Sequence, residues 1–119
     1  MNSNETISSN FAKTPAPPYY AVIFTASRKA EDKGYSKMAD RMEELAKQQP
    51  GFLGIESVEN NDRFEITVSY WDSEESIRTW KAHMEHRVAQ KQGRKIWYEH
   101  YEIRVVKVER AYNMQTSTL

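Results

Sequence analysis

The sequence contains no cysteine, which excludes disulfide bonds, thiolate catalysis and cysteine-ligated metal sites. It also has no excess of charge, since 17 basic and 17 acidic residues give a formal net charge of zero. A neutral chain lacks the basic field that attracts phosphate backbones, so we expect no nucleic-acid partner. No apolar run approaches the roughly 18 residues of a membrane span, so we expect no membrane partner. The absence of thiols suits a reducing compartment, and we predict a cytoplasmic location.

The composition divides the 119 residues into one domain and two tails. Residues 1–18 are rich in Asn and Ser and end in three of the four prolines of the chain. They lack the basic and apolar regions of a secretion signal. We predict a disordered N-terminal tail at 1–18, a folded domain at 19–112 and a frayed C-terminal tail at 113–119.

The spacing of apolar residues predicts four strands and two main helices. The predicted strands span residues 19–25, 52–59, 64–71 and 101–110. A first helix is predicted from apolar residues at helical spacing, and it ends before the Pro50-Gly51 turn. The members of its stripe are Tyr35, Met38, Met42 and Leu45.

A second helix follows the third strand at once. Asp72 or Ser73 can cap its start. Its apolar stripe consists of Ile77, Trp80, Met84 and Val88. A shorter, interrupted helical segment is predicted within residues 90–99.

The resulting order βαββαβ is that of the α+β, ferredoxin-like fold, an antiparallel four-stranded sheet with both helices on one face. The first strand is apolar on both of its faces, whereas two helices cover only one face of the sheet. An uncovered apolar face would exceed what monomers usually expose. We therefore predict a homodimer through the open sheet face, with the two sheets forming a barrel-like sandwich.

Three strings of residues resemble the antibiotic biosynthesis monooxygenase (ABM) domain over about residues 19–112. They are Gln49-Pro50-Gly51-Phe52-Leu53-Gly54, the strand end Ser69-Tyr70-Trp71, and Ser73-Glu74-Glu75-Ser76-Ile77 followed by Trp80-Lys81. A further string, Glu85-His86-x-x-Ala89-Gln90-x-x-Gly93-Arg94, is similar to a bacterial subgroup of mostly uncharacterised small proteins. These motifs report the fold better than the chemistry, because one fold hosts many functions.

The resemblance implies a dimeric α+β barrel and, as the leading function, a cofactor-independent monooxygenase that acts on a hydrophobic aromatic small molecule. Two alternatives stay open: a non-catalytic small-molecule-binding or stress-response protein, and a haem-binding or haem-degrading protein. The haem-degrading members share the helix tryptophan, here Trp80. Their histidine ten residues later corresponds to Gln90, and their first-strand asparagine has no counterpart between residues 19 and 28. Haem is therefore disfavoured, and we expect no metal or other cofactor.

The candidate catalytic residues are His83, His86 and Arg94, which would stabilise a substrate anion. At about 100° per residue, His83 lies at the border of the apolar stripe and His86 lies nearly opposite to it. The resemblance instead favours His86. Two histidines at this spacing are a weak metal signal.

The candidate substrate-binding residues are large apolar and aromatic side chains that would line a pocket between helices and sheet. They are Phe24, Trp71, Trp80, Met84, Trp97 and Tyr98. Core packing is the commoner role for a residue such as Trp80. Trp71 packs either under a helix or at the dimer seam, because the alternation does not say which face of the sheet meets the helices.

Overall fold

The computed structural model describes residues 10–90 and 93–117, with the side chains of residues 86–94 excepted. These residues form four strands and three helices. The strands are β1 (Tyr19–Arg28), β2 (Phe52–Glu59), β3 (Phe64–Trp71) and β4 (Tyr98–Val108). The helices are α1 (Tyr35–Lys47), α2 (Glu74–Gln90) and the single turn α3 (Gly93–Ile96).

The strands form one antiparallel sheet in the order β2-β3-β1-β4, and this confirms the predicted ferredoxin-like arrangement. β1 extends three residues beyond its predicted end, because β4 begins at Tyr98 and pairs with Arg28. The alternation of Ile103, Val105, Val106 and Val108 changes phase along the last strand, yet β4 has no bulge at this point. Val105 and Val106 pair in regular register with Val22 and Ala21, and they point to opposite faces of the sheet.

The hairpin between β2 and β3 turns at Asn60, as the Asn60-Asn61-Asp62 string predicts. The Asn60 side-chain oxygen accepts hydrogen bonds from the backbone N–H groups of Asp62 (2.9 Å) and Phe64 (3.0 Å). The amide of Asn60 donates to the Phe64 carbonyl at 3.0 Å. This local closure sets the register of β2 against β3.

The start of α2 packs directly against the turn before β2. Of the two predicted caps, Ser73 accepts the hydrogen bond from the Ser76 amide at 3.1 Å, while Asp72 accepts from the Ser76 hydroxyl at 2.9 Å. Gly51 has φ +85° and its carbonyl accepts from the Asp72 amide at 2.9 Å. A Cβ at Gly51 would lie 2.2 Å from the Ser76 hydroxyl oxygen, so only glycine fits here.

Both helices lie on one face of the sheet. The residues of β3 alternate between the two faces of the sheet. The polar residues and Trp71 face the helices, and the apolar residues face away from them. The residues facing the helices are Glu65, Thr67, Ser69 and Trp71, and the opposite set is Phe64, Ile66, Val68 and Tyr70. Phe64 and Ile66 remain 42% and 37% exposed. The face of the sheet opposite the helices therefore carries apolar side chains, as the alternating apolar residues of the sequence predict.

Part of the predicted N-terminal tail lies against this open face. The amide of Ala12 donates to the Glu56 carboxylate at 3.0 Å, and the Thr14 hydroxyl donates to the Tyr19 phenol oxygen at 3.1 Å. A Cβ built on Gly54 would lie 2.8 Å from that of Ala12, so the segment passes close over β2. Residues 1–9 lie outside the described part of the chain. In the predicted C-terminal tail, Asn113 closes a hydrogen-bonded turn with Thr116.

The core between sheet and helices consists of two clusters at opposite ends of the strands. The buried members of the first are Met42, Leu45, Ala46, Trp71, Ile77 and Trp80. The buried members of the second are Ala26, Tyr35, Trp97 and Tyr98. Among the described helices, none is long and apolar enough to cross a bilayer.

Candidate functional site

A cavity of about 880 Å³ lies between the helices and the sheet, and residues of both core clusters line it. Its walls are apolar side chains from α1, α2 and the sheet, including Val22, Phe24, Met38, Met42, Trp80 and Met84. The lining also includes exposed charged side chains, namely Asp40, Glu43, Lys81, Glu85 and Lys95. These mark where the cavity meets solvent between the helices. The volume falls within the range of roughly 300–1,000 Å³ that small-molecule sites occupy.

The sheet side of the cavity carries a line of polar groups that we call the polar floor. It consists of Glu65, Thr67 and Ser69 of β3, with Ser57 of β2 beside Thr67. The Ser57 and Thr67 hydroxyls bond to each other at 2.8 Å. Polar groups at the base of an otherwise apolar pocket fix the orientation of what binds there.

Glu65 is the buried carboxyl group of the polar floor, with 7% of its surface exposed. Its neighbour on β1 is Ala26, whose small side chain leaves the carboxyl room beneath α1. The Tyr35 hydroxyl donates a hydrogen bond to Oε1 of Glu65. The Arg28 guanidinium lies 4.2 Å from the Tyr35 ring centre, and its Nε donates to Glu59 at 3.1 Å. Glu59 pairs with Glu65 across the β2–β3 ladder, so Arg28 also offsets the charge of the two carboxylates.

Burial raises the pKa of Glu65 above its ordinary value, although the Tyr35 hydrogen bond and the Arg28 charge oppose the change. Burial also raises the pKa of Tyr98 to about 12, and it raises the pKa of Tyr35 well above its usual range. Both phenols therefore stay protonated, and the Tyr35 hydroxyl donates its hydrogen to Glu65. A carboxyl in such surroundings holds a proton more tightly than a surface glutamate, which is the property a general base needs.

Trp71 and Trp80 stack at the other end of the cavity. Their ring centres are 6.0 Å apart with an interplanar angle of 24°. Trp71 has 0% of its surface exposed, and its indole N–H donates to the Ser69 hydroxyl oxygen at 2.9 Å. Trp80 is buried and lines the cavity, so it serves both the core and the site.

The structure divides the predicted substrate-binding residues into two groups. Those that line the cavity are Phe24, Trp80, Met84 and Tyr98. Trp71 and Trp97 instead pack in the two core clusters. The Trp97 indole N–H donates to the Lys33 carbonyl at 3.0 Å, which holds it against the loop before α1.

Of the three predicted catalytic residues, the structure describes the side chain of His83 alone. The His83 ring stacks on Trp80 at 5.8 Å and is not among the residues that line the cavity. Its Nε2 is buried without a hydrogen-bond partner among the described residues. The side chains of His86 and Arg94 lie outside the described residues, so their roles stay predictions. Among the side chains that the structure describes, no three histidine, aspartate or glutamate groups come together as metal ligands.

Sequence reasoning did not single out Glu65 or Tyr35. Glu65 occupies the polar parity of a strand whose other parity is apolar, a pattern that usually marks a solvent-facing side chain. The sequence did contain a signal that Glu65 is buried. Trp71 lies on the same face of β3 as Glu65, and a tryptophan at the end of a strand indicates that this face is covered. A carboxylate on a covered face is a candidate for chemistry.

The fold and the cavity define a class: a small α+β domain whose two helices cover one face of an antiparallel sheet and leave a largely apolar cavity beneath them. The antibiotic biosynthesis monooxygenase family profile matches residues 19–92, and the chain belongs to this family. The uncharacterised protein YqjZ of Bacillus subtilis is 52% identical over 107 residues, which cover 90% of this chain and 94% of YqjZ.

Two solved structures illustrate the likeness of fold. One is SnoaB, a cofactor-independent oxygenase from Streptomyces nogalater, with a TM-score of 0.65 and 10% identity over 80% of this chain and 97% of SnoaB. The other is PA3566 from Pseudomonas aeruginosa, with a TM-score of 0.61 and 9% identity over 82% of this chain and 99% of PA3566. At such identities the likeness shows the fold alone.

Proposed function

We propose that this protein is a cofactor-independent monooxygenase that oxidises a hydrophobic aromatic small molecule bound in the cavity. The observation that carries the proposal is the buried carboxyl of Glu65 at the base of an apolar cavity of about 880 Å³. The SnoaB likeness, which shows the fold alone, supplies a precedent for the chemistry on this architecture.

In this proposal Glu65 removes a proton from an electron-rich substrate, and the substrate anion then reduces oxygen directly. A ring CH2 group and O2 give a ring carbonyl and one water, so the substrate supplies every electron and no external reductant is needed. Tyr35 holds Oε1 of Glu65, which leaves Oε2 to face the substrate. A positioned base contributes about 10²- to 10⁴-fold to such a step.

The cavity also bears on the alternative functions. A pocket filled by Phe24, Trp80 and Met84 would favour a protein without turnover, and the cavity that they line instead supports the proposal of a bound small molecule. A non-catalytic small-molecule-binding or stress-response protein would keep the same cavity, so turnover distinguishes it. Haem binding stays the disfavoured alternative, since Gln90 stands where the haem-degrading members carry their histidine.

We propose further that the protein works as a homodimer in the cytoplasm, with two open sheet faces packed together. The exposed apolar side chains of this face, Val58, Phe64, Ile66 and Val106, support the dimer.

Oxygen uptake with a panel of hydroxylated tricyclic aromatics that carry a ring CH2 group tests the enzyme. We expect turnover by the wild-type protein and a loss of about 10²- to 10⁴-fold in Glu65→Gln. The matched control is Glu56→Gln. Glu56 also accepts a hydrogen bond from a tyrosine, Tyr70 at 2.7 Å, but it faces away from the cavity. Binding of the panel without oxygen uptake would instead identify a non-catalytic ligand carrier.

A further inference from the structure

The polar floor is not uniform along its length, and its two ends offer opposite hydrogen-bonding functions. Glu65, Thr67 and Ser69 are successive same-face residues of β3, so its ends lie about 13 Å apart along the strand. In the middle, Ser57 and Thr67 share one hydrogen bond and Ser57 is exposed, so the hydroxyl hydrogen left over there can bond to water. Glu65 and Ser69 at the two ends are buried, so the ends are the places where the floor bonds to a ligand rather than to water.

Ser69 presents a donor at one end. A serine hydroxyl has one hydrogen to donate and lone pairs that accept. Its oxygen accepts the indole N–H of Trp71, which is held in place by complete burial. Its own O–H has no acceptor among the described residues. Ser69 is 8% exposed, and its neighbours across the ladders, Val22 and Ile55, also line the cavity.

Glu65 presents an acceptor at the other end. Oε1 is occupied by the Tyr35 hydroxyl, and Oε2 has no partner among the described residues. An ionised carboxylate accepts hydrogen bonds and donates none. The rings of Phe24, Tyr98 and Tyr101 contact one another and line the cavity beside it, and Glu65 is the buried carboxyl at this end.

We propose that Ser69 is a specificity-determining residue, and that the ligand lies along β3 with an acidic hydroxyl at Glu65 and a carbonyl-type acceptor at Ser69. Two fused aromatic rings with substituents at opposite ends, plus a hydrogen bond of about 2.8 Å at each end, span the floor. The inference deepens the proposed function, since it assigns the substrate polarity and the orientation that brings its acidic group to Glu65.

The selectivity follows from what an unsuitable ligand leaves unpaired. A ligand with an alkyl group in place of the carbonyl covers the Ser69 O–H with an apolar surface and gives it no acceptor. A buried donor without an acceptor weakens binding by roughly ten- to a hundredfold. A ligand reversed end to end places a carbonyl against the carboxylate, so one orientation is favoured.

Calorimetric titration with three naphthalene probes tests the inference without requiring turnover. The first probe carries a hydroxyl and an acetyl group at opposite ends of the two rings. The second replaces the hydroxyl by methoxy, and the third replaces the acetyl by ethyl. We expect wild-type protein to bind the first probe about tenfold more tightly than either of the others.

Ser69→Ala is the diagnostic substitution. We expect it to weaken binding of the hydroxyl-acetyl probe about tenfold and to change binding of the hydroxyl-ethyl probe less than about twofold. Because Ser69→Ala also leaves the Trp71 N–H unpaired, the comparison is repeated in a Trp71→Phe background, which has no indole donor. Ser57→Ala is the matched control, since it removes a serine hydroxyl from the middle of the floor.

Equal losses for the acetyl and ethyl probes, or no loss for either, would overturn the inference. Failure of wild-type protein to bind any of the naphthalenes would overturn it as well. The oxygenase proposal is judged separately by oxygen uptake. Probe selectivity without oxygen uptake would keep the ligand polarity and reject only the chemistry.

Discussion

Replacing Glu65 by glutamine should change how the stability of the protein depends on pH. The substitution keeps the size of the side chain, and the amide oxygen can still accept the Tyr35 hydroxyl. It removes a carboxyl that is 7% exposed, lies beside Glu59 in the ladder and has no direct ion pair among the described contacts. The variant therefore isolates the cost of ionising Glu65 inside the protein.

The sign of the effect follows from the direction of the pKa change. A glutamate in the unfolded chain has a pKa of about 4.3, and burial raises the pKa of Glu65 in the folded protein. Between these two values the folded state binds more protons than the unfolded state. The contribution of Glu65 to stability is thus fully present below the unfolded pKa and is lost as pH rises through the folded pKa.

Within that window the wild-type protein loses up to about 1.4 kcal/mol of unfolding free energy per pH unit on account of Glu65. Glu65→Gln has no such loss, so its unfolding free energy rises relative to that of the wild type as pH rises through the window. Above the folded pKa of Glu65 the difference between the two proteins stays constant. Urea unfolding from about pH 4 to about pH 8, followed by tryptophan fluorescence, measures the difference. Trp71, Trp80 and Trp97 are all buried and will report it. A difference between the two proteins that does not vary with pH would refute the desolvation of Glu65.

Two further predictions concern the fold. Gly51→Ala should cost more than about 2 kcal/mol in urea unfolding, because it combines positive φ with a Cβ 2.2 Å from the Ser76 hydroxyl oxygen. The control is Gly34→Ala, where φ is +88° but no atom lies within 4 Å of the added Cβ. We expect this variant to lose about 1 kcal/mol of unfolding free energy. Equal losses for the two variants would contradict a packing role for the turn at Gly51. Sedimentation at micromolar concentration should show a dimer for the wild type and a folded monomer for Ile66→Lys, which places a charge beside Phe64 on the open face. A monomeric wild-type protein would reject the dimer.

The strand and helix boundaries that are set by residues close together in the chain were predictable from the sequence. The predicted bounds of β2 and β3 are confirmed, because a period of two and the turn at Asn60 are local signals. The start of α1 at Tyr35 and the cap at Ser73 follow from the same kind of information. The Pro50-Gly51-Phe52 string, on which the family resemblance relied, is explained by a positive φ and by the close approach of α2.

The ends of β1 and β4 were not predictable in this way. Arg28 and Tyr98 belong to strands because they pair with each other, and residues 70 positions apart acquire that relation only when the sheet closes. Likewise, the sequence indicated apolar residues on both faces of the sheet, but not which face meets the helices.

The amino-acid sequence by itself determined the order of strands and helices, the family, and a sheet with apolar residues on both faces, since these rest on short-range periodicity and turn chemistry. Only the tertiary structure decided that the polar parity of β3 turns toward the helices. That choice depends on how α1 and α2 pack, with Trp80 stacked on Trp71 at one end and Tyr35 bonded to Glu65 at the other. The same packing leaves a cavity between the helices and the sheet, because the sheet presents the short side chains of Ser57, Thr67 and Ser69 to the helices there.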